Sequence, residues 1–222
     1  MKEENHASIR GFIFDMDGTL FDTERLYRRF WFELGKEHGY YVDDHMLDLM
    51  RGASVQVGVK VFHDYNPDVD YFAERKERYA RVMQYVTEHG APQKPGLVPM
   101  LTALKACGYK LGIGSSTMKT QVDAYLASAG ITDIFDFIGT GEITTHGKPE
   151  PDIFLIVAEK LGLAPETCVV VEDSLNGIRA GHAAGCHVIG IPDLLDLTPV
   201  ASLCDTILPS LREIPAWAAS QM

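Results

Sequence analysis

The chain has 222 residues, of which 46% are hydrophobic and 23% charged, and its formal net charge is −11. The length allows one large domain or a domain with a small insertion, and the acidic balance argues against a nucleic-acid partner, which needs a basic face. No apolar run approaches the roughly 18 residues of a membrane span, and the polar segment 1–10 lacks the apolar core of a secretion signal, so we expect a cytoplasmic protein without a membrane partner.

The first predicted strand is the apolar run at residues 11–14, and acidic residues follow it at once. Asp15 and Asp17 are two positions apart, so an extended chain projects both carboxylates to the same side. Gly18 comes next and allows the backbone to turn and to approach a ligand closely. This stretch predicts a strand that is buried on both sides and ends in a polar site.

A long helical segment separates this strand from the next one. Parallel strands need a connection of only about a dozen residues, but residues 15–109 intervene, and apolar stripes at helical spacing fill much of that segment. Three prolines and a glycine at residues 91–99 indicate a return hinge. We therefore predict a helical cap domain at residues 22–92, inserted into a core domain of residues 1–21 and 93–222, with a cleft between the two.

The C-terminal half alternates between strand patterns and helix patterns. Apolar runs bounded by turn residues predict strands, and apolar residues at helical spacing predict the helices between them. This alternation indicates an α/β fold with a parallel sheet and helices on both faces. The predicted strands lie at residues 109–116, 134–141, 167–174, 187–192 and 205–209, and the predicted helices at 118–130, 150–163 and 176–186.

The strands carry polar residues at their carboxyl ends, where open parallel sheets bind ligands. We therefore expect segments that are far apart in the sequence to meet at one edge of the sheet. The residues expected there are Asp15, Asp17, Gly18, Ser115, Ser116, Lys148, Glu172 and Asp173.

Four of these side chains are carboxylates, which repel one another. Two like charges about 4 Å apart cost on the order of 4 kcal/mol at an effective dielectric constant of about 20, so a cation is required among them. Oxygen ligands without His or Cys suit Mg²⁺, which retains waters and accepts phosphate as a further ligand. With Lys148 as a second positive charge, the set favours a phosphate dianion as the substrate group.

The two acids of the first segment suit different roles. Asp15, held against the metal, can attack phosphorus and become an aspartyl phosphate. Asp17 can protonate the leaving oxygen and then take a proton from the attacking water. The sequence thus predicts phosphoryl transfer through a covalent intermediate.

The motifs DMDGTL, GIGSS, GKPEPDIF and VVVEDS occur in this order, and with them the chain resembles the haloacid dehalogenase superfamily. The likeness covers residues 9–21 and about 93–209, and the helical insertion resembles the first cap class of that family. The resemblance implies a Rossmann-like three-layer core with a parallel sheet and an all-helical cap, as in the subgroup of β-phosphoglucomutase and phosphoglycolate phosphatase. The dehalogenase branch generally lacks the second aspartate, so the presence of Asp17 favours phosphoryl transfer.

The resemblance also implies a role for each motif residue. Asp15 corresponds to the nucleophile and Asp17 to the acid and base of the reaction. The implied ligands of Mg²⁺ are Asp15, the backbone carbonyl of Asp17 and Asp173, with Glu172 either as a further ligand or as an indirect partner. The implied phosphate-binding residues are Ser115, Ser116, Lys148 and Gly18.

We expect the cap to contain the specificity determinants, and here the chain departs from β-phosphoglucomutase-like members. Tyr27 stands where they carry His, Arg51 where they carry Lys, and Val55 where they carry an Arg that helps to hold the distal phosphate of a bisphosphate. The missing arginine argues against mutase activity. The candidates for substrate contact in the cap are Tyr27, Arg51, Ser54 and one of Arg75, Lys76 or Arg78.

These inferences predict a monomeric, Mg²⁺-dependent phosphatase of a small phosphorylated metabolite, such as a sugar phosphate or a nucleotide. A β-phosphoglucomutase-like phosphomutase is the alternative. A phosphonatase and a phosphate-binding module without turnover are further interpretations. The sequence leaves the substrate and the oligomeric state open.

Overall fold

The computed structural model describes residues 8–51 and 55–221, and six parallel strands form one sheet in this part of the chain. They are β1 (Gly11–Phe14), β2 (Lys110–Gly114), β3 (Phe137–Gly139), β4 (Cys168–Glu172), β5 (His187–Gly190) and β6 (Thr206–Ile207). The strand order is β3-β2-β1-β4-β5-β6, which is the doubly wound arrangement of Rossmann-like folds. The predicted α/β class is therefore confirmed.

Five helices lie between β1 and β2, of which the first four belong to the insertion, and four more follow β2 within the described residues. They are α1 (Thr23–His38), α2 (Asp44–Met50), α3 (Val55–Tyr65), α4 (Tyr71–His89), α5 (Leu97–Ala106), α6 (Lys119–Ala129), α7 (Asp152–Leu161), α8 (Leu175–Ala183) and α9 (Ile214–Ala219). In residues 8–51 and 55–221, none of the helices combines the length and the hydropathy needed to cross a membrane.

Strand β1 is buried on both faces, as its uninterrupted apolar sequence predicts. Phe12 and Phe14 belong to a hydrophobic cluster that includes side chains of α5 and α6. Ile13 points the other way and belongs to a second cluster with α7 and α8. Because successive side chains of a strand alternate between its faces, the sheet becomes the middle of three layers.

The register of the central strands determines where the polar residues begin. Phe14 pairs with Ile113 of β2 and with Val171 of β4. Asp15 and Glu172 therefore follow at the same end of two neighbouring strands. Strand β1 is also the point from which the chain first runs to one side of the sheet and then to the other, and such switch points are where doubly wound sheets bind ligands.

The inserted helices α1–α4 pack around a hydrophobic cluster of their own, which contains side chains from all four helices. The buried members of that cluster are Trp31, Leu34, Tyr40, Met46, Leu47, Phe62 and Tyr71. Leu26 and Phe30 of α1 and Val82 and Val86 of α4 instead join the cluster that contains Phe12. The insertion is thus anchored on the core, and its division from the core at residues 22 and 92 stays a prediction.

Helix α5 is absent from the sequence-based expectations because its first turn contains Pro99 and follows a proline-rich hinge. Pro99 is the third residue of the helix, where a backbone N–H has no intrahelical partner, so the proline ring costs no hydrogen bond. The strand expected at 134–141 is also shorter than predicted, because Thr132–Ile134 forms a 3-10 turn and β3 begins at Phe137.

The close contact between β2 and α7 provides a test of the core packing. A Cβ atom on Gly112 would lie 2.6 Å from Val157 Cγ1 and 3.2 Å from Leu161 Cδ1. We expect Gly112→Ala to lower the free energy of unfolding in urea by about 1–3 kcal/mol, because the added methyl group overpacks the core. Gly147→Ala is the control, since a Cβ there meets no atom within 4 Å. Equal stability of the two variants would contradict this packing.

Candidate active site

Three carboxyl side chains meet where β1 and β4 end. One oxygen atom each of Asp15, Glu172 and Asp173 lies within 4.8 Å of the other two. The three residues are 8%, 1% and 5% exposed, so water screens their mutual repulsion only weakly. The structure therefore brings together acids that the sequence predicts at this edge, although they come from opposite ends of the core sequence.

Lys148 lies between two of these acids. Its Nζ atom is 2.5 Å from Asp15 Oδ1 and 2.7 Å from Glu172 Oε1, and its side chain is only 8% exposed. Burial lowers the pKa of Lys148, but the two carboxylates outweigh burial and raise its pKa above the ordinary value. The lysine is therefore charged, as the sequence predicts, and offsets part of the negative charge at the sheet edge.

The single positive charge of Lys148 does not neutralise the three carboxyl groups. The pKa values of Asp15 and Asp173 are raised. Burial raises the pKa of Asp15 to about 8, Lys148 opposes this rise, and the Glu172 carboxylate adds to it. Burial also raises the pKa of Asp173 well above its ordinary value, with further contributions from Glu172 and Asp15. Such side chains take up protons unless another positive charge reaches them.

The donor set fits a hard divalent cation. The cluster of Asp15, Glu172 and Asp173 offers carboxylate oxygens alone, which are the donors that Mg²⁺ and Ca²⁺ prefer. A bound cation would remove the repulsion that raises the pKa values of Asp15 and Asp173. The sequence-based expectation of a metal site here is therefore supported by the chemistry of the side chains, whereas the choice of Mg²⁺ is a proposal.

The turn at Gly18 lies directly against Asp173. Gly18 adopts a left-handed conformation with φ +84°, and a Cβ atom there would lie 2.2 Å from Asp173 Oδ2. The hydroxyl of Thr19 donates a hydrogen bond to Asp173 Oδ1 at 2.8 Å. Glycine is thus required both by the backbone and by the acid beside it. A contact between Gly18 and phosphate stays a prediction.

Asp17 is held by hydroxyl groups from two parts of the chain. Thr23 at the start of α1 donates to Asp17 Oδ1, and Thr117 after β2 donates to Asp17 Oδ2, both at 2.5 Å. Burial nevertheless raises the pKa of Asp17, although these two hydrogen bonds oppose the rise. A carboxyl group with a raised pKa holds a proton at higher pH, which suits a proton donor.

Both carboxylate oxygens of Glu172 accept hydrogen bonds from the protein. Its Oε1 atom accepts from Lys148, and its Oε2 atom accepts from the backbone N–H groups of Asp173 and Ser174 at 3.0 Å and 2.9 Å and from the Ser174 hydroxyl at 2.9 Å. A Cβ on Gly177 would lie 1.7 Å from Glu172 Oε1. These contacts favour the indirect role for Glu172, which is to position Lys148, over direct metal binding.

The two predicted serines differ in exposure. Ser115 is 2% exposed, and its Oγ atom accepts a hydrogen bond from the backbone N–H of Thr117 at 3.1 Å. Ser116 is exposed, and both serines line the same cleft as Asp15 and Lys148. The structure thus brings both residues to the site, and their contact with phosphate stays a prediction.

The cleft between the inserted helices and the sheet edge has a volume of about 1030 Å³. Tyr27 lines it, and its hydroxyl oxygen lies 2.9 Å from that of Tyr125 in α6. Arg51 lines it with a side chain that is 6% exposed and lies between Glu24 and Asp48, with the closest nitrogen–oxygen distances 3.7 Å and 3.2 Å. The predicted residue Ser54 lies outside the described residues.

Sequence reasoning missed Glu24, which also lines the cleft. Burial raises the pKa of Glu24 to about 7, the Asp17 carboxylate adds to this rise, and Arg51 opposes it. Glu24, Tyr27 and Trp31 occupy positions i, i+3 and i+7, so they share one face of α1. In the sequence, an acidic residue that shares a helical face with two aromatic residues is the signal that indicates Glu24 as a candidate site residue.

Comparisons with known proteins agree with this geometry. The sequence model of the haloacid dehalogenase-like hydrolases matches residues 9–185. Hexitol phosphatase A of Escherichia coli (strain K12) is 35% identical over 205 residues, which cover 92% of this chain and 93% of that protein. Fructose-1-phosphate phosphatase YqaB of the same organism is 29% identical over 184 residues, which cover 82% and 95%.

Solved structures show the same fold. The crystal structure of CbbY from Rhodobacter sphaeroides in complex with phosphate is 26% identical, has a TM-score of 0.77, and is matched over 93% of this chain and 96% of that one. The structure of β-phosphoglucomutase from Clostridium difficile has a TM-score of 0.80 at 23% identity and supports the fold alone. The chain belongs to the haloacid dehalogenase-like hydrolases, since the family match covers most of its length.

The raised pKa values predict how a cation affects stability at different pH. The folded-state pKa of Asp15, about 8, exceeds the ordinary value of about 3.9, so its contribution to stability is full below about pH 4 and is lost as the pH rises towards 8. A bound divalent cation such as Mg²⁺ would replace the missing protons. We expect saturating Mg²⁺ to raise the melting temperature by about 5 °C or more at pH 8 and by less than about 2 °C at pH 5.5.

Differential scanning calorimetry of the metal-free and Mg²⁺-saturated protein measures both shifts. Asp173→Asn is the matched variant, because it removes one carboxylate of the cluster. It should lose the Mg²⁺-dependent shift at pH 8. A shift of equal size at both pH values, or a shift retained in Asp173→Asn, would show that the cation does not bind at this cluster.

Proposed function

We propose that this hydrolase removes the phosphate group from a small phosphorylated metabolite of the sugar-phosphate class, with Asp15 as nucleophile and Mg²⁺ as cofactor. The observation that carries the proposal is the arrangement of Lys148 and the Asp15, Glu172 and Asp173 carboxyl groups at the floor of a cleft. The curated relatives named hexitol phosphatase and fructose-1-phosphate phosphatase support the substrate class.

The side chains of Asp15 and Asp173 and the backbone carbonyl of Asp17 would hold the Mg²⁺ ion. When bound, the ion supplies positive charge that offsets both the acids and the phosphate dianion. Lys148 supplies a second positive charge next to Asp15 Oδ1. Glu172 orients that lysine through a side chain fixed by backbone N–H groups.

In the first half of the reaction, an oxygen of Asp15 attacks phosphorus while the bond to the leaving oxygen breaks. Asp17 donates its proton to that oxygen, so the dephosphorylated product leaves as an alcohol. Thr23 and Thr117 orient the Asp17 carboxyl group for this transfer. Ser115 and Lys148 bind the phosphoryl oxygens, and the reaction leaves Asp15 as an aspartyl phosphate.

In the second half, Asp17, now deprotonated, takes a proton from a water molecule that attacks phosphorus. The bond between phosphorus and the Asp15 oxygen breaks, which restores the carboxylate and releases phosphate. A phosphomutase would return the phosphoryl group to a sugar hydroxyl instead. Val55 lines the cleft with an apolar side chain at the position that mutase-like members fill with a phosphate-binding arginine, and this supports hydrolysis.

Replacement of the nucleophile tests the proposal. We expect Asp15→Asn to lower kcat for Mg²⁺-dependent hydrolysis of acetyl phosphate by about 10³–10⁵-fold, because the amide cannot form the covalent intermediate. Intact-protein mass spectrometry after rapid quenching should show one phosphoryl adduct on the native chain and none on the variant.

Asp123→Asn is the control, because Asp123 lies on α6 and pairs with Lys119 away from the acid cluster. It should retain activity within about twofold. Mg²⁺-dependent turnover at the native rate by Asp15→Asn would refute the covalent mechanism.

A further inference from the structure

Arg78 of α4 has an unusual setting in the wall of the cleft. Its guanidinium carbon lies 4.7 Å from the ring centre of Tyr27 and 4.9 Å from that of Trp31, so two aromatic rings fix its position. Its Nε atom is buried and has no hydrogen-bond partner. Within residues 8–51 and 55–221, no carboxylate lies close enough to form an ion pair with it, whereas its neighbour Arg81 binds both Glu37 and Glu77.

The other half-buried arginines of this wall are paired. Arg28 binds Asp44 and Asp48, and Arg51 lies between Glu24 and Asp48. Arg78 differs from both, because no carboxylate in the described residues pairs with it.

A wall of this kind suits hydroxyl groups. The buried Nε of Arg78 and the buried Nη1 of Arg51 are donors without partners, and Glu24 supplies an acceptor in the same cleft. Hydroxyl groups both donate and accept hydrogen bonds.

We infer that Arg78, which packs against Tyr27 and Trp31, determines specificity by donating hydrogen bonds to hydroxyl groups in the part of the substrate beyond its phosphate. The inference rests on the proposed function and adds a substrate class to it, namely phosphates of hydroxyl-rich molecules such as hexitols. The exposed Arg75 and Lys76 on the same helix line the cleft and attract the single phosphate towards it.

Steady-state kinetics on two compounds tests the inference: the monophosphate of sorbitol, and acetyl phosphate, which has no hydroxyl groups. We expect Arg78→Met to raise KM for the hexitol monophosphate by about 10–100-fold, because the variant keeps the packing between the rings but loses the charged donors. Its kinetics with acetyl phosphate should stay within about twofold of the native values.

Two further variants separate binding from structure. Arg78→Lys keeps the charge and should recover part of the KM lost in Arg78→Met. Arg81→Met is the matched control on the same helix, because Arg81 pairs with Glu37 and Glu77 and does not line the cleft; it should leave the KM for the hexitol monophosphate unchanged. Melting temperatures show whether each variant folds.

The outcomes are distinguishable. An unchanged KM for the hexitol monophosphate in Arg78→Met would overturn the inference, and so would an equal loss with acetyl phosphate, which would show a structural role. If the native protein did not hydrolyse acetyl phosphate in the presence of Mg²⁺, the proposed function itself would fail, and the inference with it.

Discussion

The concentration of negative charge at one edge of the sheet is the constraint on which the rest of the site depends. Asp15, Glu172 and Asp173 are brought within 4.8 Å of one another by the register of β1 and β4, in a region that water hardly reaches. Lys148 bridges two of these acids, and a hard cation is the natural complement to the remainder. The sharp turn at Gly18 and the backbone donors that fix Glu172 keep this unfavourable arrangement in place.

The acid Asp17 of the core is also in contact with the inserted helices. Asp17 accepts hydrogen bonds from Thr23 at the start of α1 and from Thr117 beyond β2, so a movement of the insertion would change the setting of this acid. Burial raises the pKa values of both Asp17 and Glu24, which lie on the two sides of the cleft. Binding of a phosphorylated molecule therefore involves the acids of the core and the wall of the insertion together.

Much of the core follows from the sequence because its signals are local. The apolar run before Asp15 predicts a strand buried on both sides, and polar residues at the strand ends predict their meeting at one edge. The sequence shows that Glu24 shares a helical face with Tyr27, but the burial of Glu24 and the contacts of Arg78 depend on how α1 packs against α4, which no local pattern specifies. The hydrogen bonds that Glu172 accepts from Lys148 and Ser174 depend on the orientation of the Glu172 side chain, which the sequence does not specify. Helix α5 is not predicted from the sequence because Pro99 lies in its first turn, and proline commonly ends helices although their first turn tolerates it.

A crystal structure of the protein with Mg²⁺ and beryllofluoride, which mimics a phosphoryl group on a carboxylate, tests the central claim most directly. We expect beryllium bonded to a carboxylate oxygen of Asp15, a Mg²⁺ ion coordinated by Asp15 and Asp173, and the Lys148 ammonium group hydrogen-bonded to a fluoride. Beryllofluoride on another side chain, or Mg²⁺ bound elsewhere while these acids remain free of metal, would contradict the assignment of this charged edge as the catalytic centre.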